Sequence, residues 1–181
     1  AVALLAALMC FMAGINPAVA TAVSREGKGH DMLTALPVSA RTLVQAKLMV
    51  GLRLALVGLL PAAALLIVFA PGFALEIVLA LALSGLYCFI CAAISLARDV
   101  RSPKLNWVTE TEAIKQNTGS MVSIFAAWGI LLALGALSVL LLKIGAGLAL
   151  YCLALGALLG AGAWLSWRYL MRCADRCYCQ G

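Results

Sequence analysis

Few side chains in this 181-residue sequence have the types and spacing for chemistry. Cys173, Cys177 and Cys179 sit close together in a short basic tail. Their spacing hints at metal, but no fourth ligand is evident for the tetrahedral site that zinc favours. Cys10, Cys88, Cys91 and Cys152 lie inside apolar runs, where cysteine behaves as a small hydrophobe. The only histidine, His30, falls among charged residues. A histidine there can sense pH, and the simpler reading is a solvated loop side chain. Glu76 lies near the outer end of an apolar run, which makes it a candidate substrate or ion contact. No Gly-x-x-x-x-Gly-Lys-Ser/Thr phosphate loop and no His-Glu-x-x-His pair occurs. The glycines of 156–162 lack the strand context of a nucleotide fingerprint. The sequence therefore reads as a non-enzyme that binds no cofactor itself.

The elements that would position these residues are membrane spans. The chain is 65% hydrophobic and 11% charged, against roughly 25% charged in a soluble domain. A spanning helix needs about 20 mostly apolar residues, and five runs qualify: 1–23, 48–70, 73–97, 121–142 and 146–169. Backbone groups in lipid must pair within their own segment, so each is expected to be helical. The fold class is all-α, a polytopic transmembrane helix bundle forming a single domain. The first run opens on Ala1 without a basic start, unlike a signal peptide. One further span upstream would complete a six-span unit.

Two connections, 24–47 and 98–120, are long and charged; the others are tight. With the tail, 170–181, they carry nearly all the lysine and arginine, and the opposite side holds only Lys143. Basic excess marks the cytoplasm, so both loops and the C-terminus are expected there. The net charge of +6 reads as a topology signal, and a nucleic-acid partner is not expected because the spans split the charge. Asn16-Pro17 should kink the first span. Gly156-x-x-x-Gly160 permits close helix approach. Trp107 suits the membrane interface.

The first long loop has an internal plan. Asp31 precedes Met32, Leu33 and Leu36 on one helical face. Pro37 ends that short helix, and Ser39 is a good N-cap for a new one running through Lys47 into the second span. The loop can rest on anionic headgroups. Alternatively its apolar edge docks in a partner's groove, with Glu26 and Asp31 giving specificity. In the second loop, Thr109-x-x-Glu112 is a capping box that would start a helix through Asn117, and Pro103-Lys104 would turn the chain towards the membrane.

The order Arg25-Glu26-Gly27-Lys28, Leu33, Leu36-Pro37-Val38-Ser39 and then Lys47 entering a span resembles the first intracellular loop of type-2 ATP-binding-cassette (ABC) exporter permeases. The run Pro103-Lys104-Leu105-Asn106-Trp107, followed by Glu112-Ala113 and Lys115-Gln116-Asn117, is similar to one group within that family. Gly29-His30 departs from it, since relatives often carry bulkier residues there. The resemblance implies a bacterial cell-membrane permease subunit whose partner ATPase subunit binds ATP and Mg. A second permease copy or half would accompany it. Arg25, Glu26, Gly27, Lys28, Asp31, Met32, Leu33, Leu36 and Pro37 would then form the coupling surface to the ATPase. Pro103, Lys104, Asn106, Trp107, Glu112, Lys115 and Asn117 would lie in a second contact loop. The rival reading is a non-catalytic membrane scaffold without an ATPase partner.

Overall fold

A computed structural model describes residues 14, 16–35, 37–107, 118–145 and 147–177. Among these the ordered elements are all helical. They are α1 (Pro17–Ala20), a 3₁₀ helix (Ser24–Gly29), α2 (His30–Thr34), α3 (Ala40–Phe69), a 3₁₀ turn (Pro71–Phe73), α4 (Ala74–Arg101), α5 (Thr118–Lys143) and α6 (Leu148–Cys177). Four of them, α3 to α6, are long and apolar enough to cross a membrane. The first predicted span falls mostly outside the described residues.

The long helices match four predicted spans but overrun them. At 30 residues, α3 and α6 measure about 45 Å, against a hydrocarbon core of about 30 Å. Helix α3 starts at Ala40 because Ser39 caps it, its hydroxyl accepting the Thr42 N–H at 3.2 Å. Helix α6 continues through most of the expected tail because Leu170, Cys173 and Ala174 form a buried stripe against the rest of the bundle. At the same end of the fold, the expected kink at Asn16-Pro17 is a fresh helix start. The Asn16 side chain accepts from Ala18 N–H at 3.1 Å and donates to the Gly51 carbonyl at 3.0 Å, so the helix begins again at Pro17.

Helix α4 is the axis of the bundle. It is buried over 56% of its most apolar stretch, against 6–17% for the other three, and packs most extensively on α6, then α3, then α5. Towards Glu76 the core gathers Ile77, Leu83, Tyr87, Leu59, Tyr151 and Leu155. The Tyr87 hydroxyl donates to the Ala127 carbonyl at 2.8 Å, satisfying a polar group where lipid offers no partner. Towards Arg101 the core gathers Val19, Val44, Leu48, Leu96, Val100 and Leu170. There α1 crosses α3 at Gly51, where a Cβ would stand 1.8 Å from Val19 Cγ2. Gly156 and Gly160, expected at a close helix contact, have nothing within 4 Å of their Cβ positions among the described residues. Close approach occurs instead at Gly162, where a Cβ would stand 3.1 Å from Ile90 Cδ1. The outward faces carry exposed Val57, Phe69, Phe125 and Leu153, which suits lipid and marks a membrane-embedded protein.

Candidate functional site: a buried polar junction between the loops

The last turn of α4 carries an acid in an unfavourable place. Asp99 is 1% exposed and sits at a helix C-terminus, where the dipole disfavours negative charge. Its compensation comes from the other loop. Oδ2 accepts the backbone N–H groups of Val23 at 2.6 Å and Ser24 at 3.0 Å, and Oδ1 accepts the Ser24 hydroxyl. These amides open the 3₁₀ helix, so one helix start neutralises the acid at another helix's end.

Ser24 is the hub of this junction. Fully buried, it also accepts the Lys104 N–H on its hydroxyl at 2.9 Å and the Trp107 indole N–H on its carbonyl at 2.7 Å. The expected interfacial Trp107 is thus a tie between loops. Its ring lies over Gly27, where a Cβ would meet it at 2.9 Å. Gly27 has φ 51° and ψ −129°, a conformation other residues adopt only with strain.

A second cluster adjoins the first. The Glu26 carboxylate holds His30 Nδ1 at 2.5 Å through one oxygen and Lys47 Nζ through the other. Lys47 Nζ also donates to the Ala22 carbonyl at 3.0 Å. The side chains of Glu26 and His30 are only 6% and 3% exposed. This corrects the solvated-histidine reading: Glu26 stands one turn before His30, and the i, i+4 pair is folded under the loop. Glu26 is likewise turned inward, so it holds the loop together and is not offered on its surface.

The outward edge is apolar. Met32 is 80% exposed, Leu33 is half-buried, and Pro37 and Val38 are exposed. Arg25 is exposed and makes a long 3.4 Å contact to the Ala18 carbonyl. Pro103 and Lys104 are half-buried and Asn106 exposed. Leu36, Glu112, Lys115, Asn117 and the capping box fall outside the described residues, as do the side chains of Lys28 and Asp31. Two further links brace the same end: a bidentate Arg41–Asp175 pair at 2.6 Å and a 2.9 Å bond from Arg101 to the Tyr169 hydroxyl.

Glu76 lies at the far end, in the first turn of α4, where a carboxylate suits the helix dipole. Its buried Oε2 has no hydrogen-bond partner among the described residues. No group of three metal-binding side chains occurs among the described residues; Cys173 and Cys177 lie one turn apart on α6, and Cys179 is outside them.

Asp99 was not singled out in the sequence, although a signal existed. Ala92, Leu96 and Asp99 continue one buried stripe, and a carboxylate on such a stripe needs donors from elsewhere. No family model, curated protein or solved structure matches the chain. Among the described residues the arrangement is a set of hydrogen bonds and an ion pair that join the two loops to α3 and α4. What it can do is mechanical: it fastens the loop 24–47 to α3, to α4 and to the start of the second loop.

Proposed function

We propose that the chain is a membrane-spanning permease subunit of an ATP-driven ABC exporter in a bacterial cell membrane. ATP and Mg bind a separate ATPase subunit, which docks on the cytoplasmic face against the Met32–Pro37 edge. A second permease copy or half completes the translocation path, and the C-terminus is cytoplasmic. The observation that supports this reading is the junction beneath the exposed Met32. A short helix that merely rested on headgroups would have no need of an inward-facing ion-paired base. Here Glu26 grips Lys47 of α3, and Ser24 grips Asp99 of α4. A displacement of the loop would therefore move two spanning helices together.

The test is co-purification. Full-length tagged protein is extracted from native membranes in mild detergent, and its partners are identified by mass spectrometry. An ATP-binding-cassette ATPase should accompany the wild type and be lost from Met32→Asp, which alters an exposed side chain and leaves the junction intact. An intact complex without any ATPase would contradict the proposal and favour the scaffold.

A further inference from the structure

Between α4, α5 and α6 runs an apolar groove of about 520 Å³. Its α4 wall carries Ile90 and Ile94, its α5 wall Ala133 and Leu134, and its α6 wall runs from Leu158 to Tyr169. Eleven helical steps from Leu158 to Tyr169 rise about 16 Å, close to half of the roughly 30 Å hydrocarbon core. The groove is thus one leaflet deep. Its end is polar: Tyr169 lines it, and the Tyr169 hydroxyl accepts a hydrogen bond from Arg101 at 2.9 Å. Arg101 is exposed, and exposed Arg172 lies one turn beyond Tyr169 on the same α6 face. Arg168, next to Tyr169 in sequence, is engaged elsewhere, over the Trp164 ring at 4.7 Å.

We infer that this groove is a binding site for an anionic phospholipid of the leaflet on the basic side. An acyl chain fills the apolar trough, and the phosphate is held by Arg101 and Arg172. Charge and depth both select this occupant. A bidentate guanidinium suits a phosphate, and a one-leaflet trough with a cationic mouth fits a chain of that length joined to an anion. A comparable groove of about 500 Å³ along α3 and α4, lined by Leu52, Leu56, Gly85 and Phe89 and touching α6 at Ala163, has no charged or hydroxyl side chain among the described residues of its wall. It has no means of choosing a headgroup and serves as the internal control. The inference is independent of any ATPase partner.

Native mass spectrometry of the full-length protein in detergent tests it, with phosphatidylglycerol and phosphatidylcholine titrated separately. Wild type should retain phosphatidylglycerol preferentially. Arg101→Gln should weaken that retention about fivefold, the scale of one basic residue at an anionic surface, and so should Ala133→Phe, which fills the trough from an exposed position. Lys143→Gln, at the opposite end, and Leu56→Trp, in the control groove, should change nothing. Equal retention of both lipids, or phosphatidylglycerol retention untouched by both Arg101→Gln and Ala133→Phe, would overturn the inference. So would a lipid-free dimer that Ala133→Phe converts to monomer, since a second copy would then own the groove.

Discussion

Replacing Asp99 by alanine is the most revealing perturbation of the junction. The substitution removes the acceptor for three donors: the N–H groups of Val23 and Ser24 and the Ser24 hydroxyl. Val23 is 1% exposed and Ser24 0%, so water does not readily replace the carboxylate. Leaving buried donors unsatisfied costs about 1–3 kcal/mol each, but the loop can relax, and breaking one buried charged partnership costs about 3–5 kcal/mol in practice. For a chain of this size each kcal/mol shifts Tm by roughly 2–4 °C. Asp99→Ala should therefore lower Tm in detergent by roughly 6–20 °C. It should also raise hydrogen exchange at the amides of 23–29, with Trp107 emission moving to the red. Asp99→Asn keeps the shape and one acceptor oxygen but loses the charge, and should cost about 1.5–3 kcal/mol. A Tm within about 2 °C of wild type for Asp99→Ala, with exchange unchanged, would refute the claim that this acid fastens the loop.

Three further substitutions probe its surroundings. Gly27→Ala should destabilise by about 1–3 kcal/mol through its positive φ and its clash with Trp107; adding Trp107→Ala should remove only the clash, giving a non-additive double-mutant cycle in urea unfolding. Gly51→Ala should cost about 1–3 kcal/mol by overpacking against Val19, and Val19→Ala in the same chain should restore part of it by Tm. Arg41→Ala should leave Tm close to wild type in the same assay despite its bidentate bond to Asp175, because both side chains are exposed and solvent screens surface pairs.

What was legible in the sequence is the part governed by local rules. Apolar runs announced α3 to α6 because length and hydropathy suffice for a helix in lipid. Ser39 announced the start of α3 because an N-cap acts over three residues, and Pro37 marked the break before it. The Glu26–His30 pair was readable from i, i+4 spacing, yet its burial was not, because burial depends on Lys47 arriving from α3. Asp99 continues the stripe of Ala92 and Leu96, which signals a need for donors, but the sequence does not name them, since they lie 75 and 76 residues away. Nothing local to Gly27 shows that its φ and the overlying Trp107 ring leave room for nothing larger, because that ring arrives from 80 residues further along the chain. Gly156 and Gly160 had the spacing for close packing, but spacing does not say whether a neighbour is present, and Gly162 took that role.

The exporter account is tested most directly by photo-crosslinking from position 32 in native membranes. A photoreactive residue replaces Met32 in the full-length protein, and a second variant carries it at Phe73, exposed in the turn at the opposite end. The account predicts that position 32 captures a protein with ATP-binding-cassette sequence, with a yield that changes when a non-hydrolysable ATP analogue is added, and that position 73 captures none. Crosslinks from position 32 to lipid or to this chain alone would contradict it.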